Sequence, residues 1–305
     1  MATHSTFPAV EERRATPQHV VQTVADFWAL TKPEVNLLIA ITTIAGFCLA
    51  RQSHPFPFIL LVHTLLGTLL VAGGTGTLNQ YIERAFDAQM RRTARRPLAA
   101  GRLEPSAAFC LGIALSSLGA IYLAVAVNFL ASLLAVLTLL SYLFIYTPLK
   151  RKSPLCTLVG AFPGAVPPLI GWAAASGKLS LEAWVLYGVV FLWQFPHFMA
   201  IAWMYRQDYA RAGYLVLPFG DRSGPFMAWQ SLVSLVALLP LALTPTFIGR
   251  AGLVYLIGAL ALSSGFLYYG IRLAVSRTNA RARRLLLASI IYLPLVFVLM
   301  VLDKR

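Results

Sequence analysis

A chain of 305 residues that is 58% hydrophobic and 12% charged cannot be a water-soluble globular domain, in which about a quarter of residues carry charge. Its formal net charge of +14 would suit a nucleic-acid partner. The charges, however, are confined to gaps between apolar segments and gather on one side of them, which argues for a lipid bilayer and against nucleic acid.

Residues 1–26 are polar, contain Glu11 and Glu12, and have no apolar h-region. They read as an unstructured cytoplasmic tail and neither as a signal peptide nor as a transit peptide. Phe27-Trp28 form an interfacial lead-in, and a single membrane domain is expected over 27–305. Apolar windows of about 20 residues predict nine membrane helices near 33–50, 57–81, 105–126, 128–147, 155–175, 181–204, 224–248, 251–273 and 284–302. With a cytoplasmic N-terminus, 20 of the 25 basic residues fall on the inner side and five on the outer side. That is the positive-inside pattern of an odd number of spans. Cys48, Cys110 and Cys156 are too scattered for a metal site or a disulfide framework and read as small apolar fillers.

The second helix carries Gly73, Gly74 and Gly76 before its polar end, where small residues either let neighbouring helices approach or make room for a ligand. Next come Asn79, Glu83 and Asp87. Steps of four place them on one ridge, each about 6 Å further along the axis. Stacked carboxylates repel and are costly at the end of a membrane helix, and a divalent cation removes both objections. Oxygen ligands with positions left for water or phosphate suit Mg²⁺. The plainer alternative is a solvated helix end whose acids pair with Arg84 and Arg91.

Downstream lies a basic run holding Arg91, Arg92, Arg95 and Arg96, and on the same side are Lys150, Arg151 and Lys152 after Tyr146-Thr147-Pro148. Singly these report topology or contact anionic lipid; beside an acidic ridge they suit a diphosphate, whose oxygens guanidinium groups grip in pairs. A second patch runs from Trp193-Gln194-Phe195-Pro196-His197-Phe198 to Asp208. Pro196 removes a backbone donor and should kink its helix. Asp208 is expected to face the ridge and hold a second cation. His197, about three turns deeper, either ligates iron or relays a proton, or is satisfied by a neighbouring helix. Asp221 has no assignable role.

The spacing Asn79-xxx-Glu83-xxx-Asp87, followed by Met90-x-Arg92-Thr93-xx-Arg96-Pro97-Leu98, resembles the first signature of the UbiA-type intramembrane prenyltransferases. Leu30-Thr31-Lys32-Pro33-Glu34-Val35, Tyr146-Thr147-Pro148-Leu149-Lys150-Arg151, Trp193-Gln194-Phe195-Pro196-His197-Phe198 and Asp208-Tyr209-xx-Ala212-Gly213 are similar to the branch that farnesylates heme. The likeness covers roughly residues 27–300. It implies an all-α polytopic bundle of nine transmembrane helices around a central cavity, in a bacterial inner membrane, with the active site on the cytoplasmic face. It implies farnesyl diphosphate and heme B as substrates and heme O as product, with a downstream heme-modifying enzyme as an open partner. By the family pattern Asn79, Glu83, Asp87 and Asp208 would bind Mg²⁺-diphosphate, Arg92, Arg96, Lys150 and Arg151 would assist, and His197 would serve the heme side. Glu83 stands where many members carry Asp, and Gln207 where an acid is common. A prenyltransferase for an aromatic quinone precursor, an ion-coupled transporter and a heme-handling assembly factor are the competing readings.

Overall fold

The computed structural model describes residues 17–50, 55–218 and 224–305. Helix α1 spans Pro17–Leu30, reaching back into the stretch expected to be unstructured tail; residues 1–16 lie outside the described residues. What fixes α1 is tertiary: Asp26 takes a two-pronged bond from Arg102 (2.8 and 2.9 Å), and Leu30 packs with Leu98, Leu103 and Ala108.

Among the described residues nine helical segments are long and apolar enough to cross a membrane, close to the predicted windows. They are α2 (Pro33–Ala50), α3 (Phe58–Asp87), α4 (Pro105–Ala126), α5 (Phe129–Leu140) with its continuation to Leu149, the pair α7 (Cys156–Gly164) and α8 (Pro167–Ser176), α9 (Leu181–Met204), α11 (Pro225–Phe247), α12 (Leu253–Val275) and α13 (Asn279–Leu302). Two short helices complete the order, α6 (Thr147–Leu149) and α10 (Arg206–Arg211).

Three departures from the predicted spans shape the site. Helix α3 runs 30 residues, longer than the roughly 20 that a bilayer needs, and its last turns carry the acidic ridge. The fourth span widens into a π-helical turn at Ser141–Tyr146 before closing as α6, a distortion that clusters at functional sites. The fifth span is broken. Pro163 lies inside α7 and Pro167 and Pro168 start α8; each proline lacks the backbone donor that a continuous helix requires.

Helix α8 is buried along nearly its whole length, packed against α2, α3, α5 and α9. It lies so close to α2 that a Cβ on Gly46 or Gly171 would collide with the backbone of Pro168 or Thr43, the small-residue packing that drives helices together in lipid. Helix α9 continues through Pro196 and packs against α7, α11 and α13.

Candidate functional site

The junction between α1 and α2 is a single strained residue. Lys32 has φ of 55°, a left-handed conformation costing about 1–2 kcal/mol for a residue with a Cβ. Pro33 follows, and a proline disfavours the right-handed helical region for the residue before it. Gly73 and Gly76 let this junction approach α3, since their open faces meet Thr31 and the carbonyls of Leu30 and Thr31. Gly74 instead packs against Gly112 and Ser116 of α4. The three glycines therefore serve packing, and that packing aims Lys32 at the ridge.

Lys32 Nζ donates to Asn79 Oδ1 at 2.6 Å. The Asn79 amide in turn donates to Glu83 Oε2 (3.0 Å) and to Thr147 Oγ1 (3.2 Å). Lys150 Nζ closes the other oxygen of Glu83 at 2.8 Å. One turn on, Arg96 bonds Asp87 Oδ2 at 2.7 Å, and Thr93 Oγ1 donates to the Asp87 carbonyl at 2.9 Å, pinning the following loop. Asn79, Glu83 and Asp87 are all at most 5% exposed. Arg84 turns away to Tyr81, so the acids are not a solvated helix end paired with their own neighbours. Glu83 takes its cation from a distant segment, Lys150, and Asp87 takes Arg96 from the loop that follows α3.

The π turn has a visible purpose. It presents Thr147 to Asn79 and sets the rings of Tyr146 and Tyr142 at 4.5 and 6.0 Å from Lys150 Nζ, with Tyr214 also at 6.0 Å. The Leu215 amide donates to the Lys150 carbonyl at 2.7 Å, tying the segment after α10 to the same corner. Tyr214 is buried beside Glu83 and Asp87, and its hydroxyl finds no partner at hydrogen-bonding geometry. Burial pushes the Lys32 ammonium down to about 7; Arg96 and Lys150 add to this, and Glu83 and Asp87 oppose it. These residues therefore share one charged chamber at one end of the bundle.

The remaining expected residues divide. Asp208 is 7% exposed; it accepts from Arg211 (3.1 Å) and from the Arg92 amide (3.4 Å), which joins α10 to the loop after α3. Gln207 is exposed. The Arg92 guanidinium lies over Tyr205 at 5.4 Å and that of Arg151 over Phe86 at 4.3 Å; neither enters the contacts of the chamber. Asp221 lies outside the described residues. His197 is held apart from the acids: its Nδ1 meets Ser289 Oγ at 2.8 Å and its ring stacks on Trp193 at 4.8 Å. Sequence reasoning passed over Lys32, Thr147, Tyr142 and Tyr214 as site residues. The lysine wedged before a proline was the readable signal; the tyrosines depend on a π turn that no periodicity announces.

The donor set suits Mg²⁺ accompanied by a diphosphate. Among the described residues no three of His, Cys, Asp and Glu stand close enough to hold a metal together. The ridge offers two carboxylates and an amide oxygen, all hard donors, and leaves the rest of a coordination shell to phosphate and water. In the chamber three cations, Lys32, Arg96 and Lys150, face two carboxylates. A diphosphate carries more negative charge than one Mg²⁺ neutralises, so the two together would balance that excess, and the Tyr214 hydroxyl, buried beside Glu83, would be a donor within the same cluster for a phosphate oxygen.

Residues 39–294 match the UbiA prenyltransferase family. The chain is 48% identical over 287 residues to a protoheme IX farnesyltransferase of Solibacter usitatus, covering 92% of this chain and 98% of that one. It is 43% identical over 294 residues to the protein of the same name from Koribacter versatilis, covering 93% and 95%. The solved structure of a UbiA homolog from Archaeoglobus fulgidus bound to DMAPP and Mg²⁺ superposes with a TM-score of 0.64 over 90% of this chain and 99% of that chain, at 15% identity, a likeness of fold.

Proposed function

The chain belongs to the UbiA prenyltransferase family, and from that premise we propose that it transfers the farnesyl group of farnesyl diphosphate to a vinyl group of heme B, giving heme O and diphosphate. The names of its relatives support the acceptor. The observation that carries the chemistry is the chamber in which Asn79, Glu83 and Asp87 meet Lys32, Lys150 and Arg96.

Asn79, Glu83 and Asp87 would hold Mg²⁺, with Asp208 available to a second ion. The metal, when bound, neutralises charge on the diphosphate and makes it a better leaving group. Arrival of the diphosphate gives Lys150, Arg96 and Lys32 a more highly charged partner than the carboxylates they now hold. Their N–H groups then stabilise the charge that builds on the leaving oxygen as the C1–O bond breaks and its electron pair departs with the diphosphate. The vinyl π electrons of heme form the new bond to C1, and water adds to the resulting cation beside the ring and releases a proton. A chamber at the mouth of an apolar bundle shields the allylic cation from bulk water until then. His197, oriented through Nδ1 by Ser289, would serve the heme through its other nitrogen.

The sequence pattern puts 20 of the 25 basic residues on the side of the membrane that carries the ridge; by the positive-inside rule that side would face the cytoplasm, and the bacterial relatives favour an inner-membrane location. The test is direct. Purified protein is incubated with heme B, farnesyl diphosphate and Mg²⁺, and the extracted pigment is weighed by mass spectrometry. Heme O is expected; unchanged heme B, with a phenolic acid prenylated in its place, rejects the acceptor.

A further inference from the structure

Helices α12 and α13 form a cleft of about 190 Å³ lined by Tyr268, Tyr269, Arg272, Arg281 and Arg284. None of these residues belongs to the chamber, although the cleft is at the same end of the bundle. The turn joining the two helices is bonded to the chamber end of α9, through Trp203 Nε1 to the Arg277 carbonyl (3.1 Å) and Arg206 to Asn279 Oδ1 (3.0 Å).

Three guanidinium groups converge on this cleft, and no carboxylate lines it. Among the described residues the ion pairs use Arg96, Arg102, Lys150, Arg211 and Arg250, and none of these three arginines. Two of them are held in place by neutral partners: Arg272 donates to the Tyr268 hydroxyl at 2.7 Å, and Arg281 to the Arg272 carbonyl at 2.8 Å. Arg281 and Arg284, three residues apart, share a face of the first turns of α13, where the helix dipole adds positive potential. Like charges fixed side by side call for an anion, and paired N–H donors suit phosphate oxygens.

The surroundings of the cleft identify the source of that phosphate. From Arg284 an exposed apolar stripe runs along α13 through Leu287, Ile291, Leu295 and Val298, at helical spacings of three and four. Beside it on α12, Leu260 and Ile257 are exposed, and nothing lies within 4 Å of the open face of Gly265. A soluble anion would have no use for this stripe. An acyl chain would lie along it with its headgroup at the arginines, and tyrosines are at home at that depth. We propose that this cleft binds the phosphate headgroup of an anionic membrane phospholipid, with the acyl chains along α12 and α13. Basic pockets between membrane helices recognise such headgroups.

The test uses the full chain in detergent, titrated with phosphatidylglycerol or phosphatidylcholine and read by native mass spectrometry. Wild type is expected to retain one phosphatidylglycerol in preference to phosphatidylcholine by about tenfold. The triple substitution Arg272→Gln, Arg281→Gln, Arg284→Gln should erase that preference. Arg284→Gln alone, at a side chain with no ion pair among the described residues, should weaken it with the fold intact. Arg283→Gln, exposed but not lining the cleft, should leave it unchanged. Equal retention by the triple variant, an equal loss in Arg283→Gln, or displacement of the lipid by inorganic phosphate would each overturn the proposal.

Discussion

Lys32 and Asn79, 47 residues apart in sequence, are joined by a 2.6 Å bond from Nζ to Oδ1. A strained residue before a proline thereby reaches the first rung of the ridge, and strain of this kind gathers where geometry serves function. Because burial lowers this ammonium to about 7, its charge is in play at working pH. The unfolded chain binds the proton more tightly, so stability should rise between about pH 7 and the ordinary lysine value near 10. Activity should run the other way. With the protonated form gripping the diphosphate, kcat/KM for farnesyl diphosphate should fall with one proton as pH rises through about 7. Lys32→Arg, permanently charged, should move that limb upward; an unshifted limb removes Lys32 from the account.

The Lys150–Glu83 pair, with side chains only 13% and 7% exposed, makes a distinguishable prediction. Lys150→Met strands a buried carboxylate and should cost about 3–5 kcal/mol. Adding Glu83→Gln should restore most of the lost melting temperature without restoring turnover. Recovery of both would make the pair purely structural.

Tyr214 separates stability from binding. A buried hydroxyl without a partner costs about 1–3 kcal/mol, so Tyr214→Phe should leave the melting temperature unchanged or raise it. KM for farnesyl diphosphate should rise roughly ten- to a hundredfold, the worth of one hydrogen bond to a charged group, about 1.5–3 kcal/mol. A variant that is less stable yet binds normally contradicts the assigned role.

Arg102 and Asp26 hold the loop after α3 against α1. The hydrogen bonds from Arg102 keep the Asp26 carboxyl below its usual range. The stabilisation is therefore complete above pH 4 and lost as pH falls through the lowered value. The arginine is 39% exposed, so solvent screening limits the pair to about 0.5–1 kcal/mol. Arg102→Ala should chiefly make residues 88–104 more open to limited proteolysis at neutral pH; an unchanged cleavage rate means that Leu30, Leu98 and Leu103 suffice.

Much of this architecture was legible in advance, for a physical reason. Lipid imposes length and apolarity on each span, so the windows fall on the nine candidate spans among the described residues, and a four-residue spacing alone placed Asn79, Glu83 and Asp87 on one edge of α3. What the residues could not disclose depends on contacts between segments. No local signal pairs Lys150 with Glu83 or Arg96 with Asp87, and the break between α7 and α8 was hidden because Pro163 and Pro167 sit in an otherwise unbroken apolar run. His197 was expected about three turns deeper than Asp208, but nothing in its own segment named the partner of its ring, Ser289 of α13.

The most direct measurement is the mass of the pigment formed from heme B and farnesyl diphosphate by Asp87→Ala, across a Mg²⁺ titration and beside wild type. Wild type should form heme O only when the metal is present, and Asp87→Ala should form none at any Mg²⁺ concentration while still inserting as a folded, monodisperse protein. Heme O produced by Asp87→Ala at the wild-type rate, or by wild type with Mg²⁺ chelated, would contradict the account.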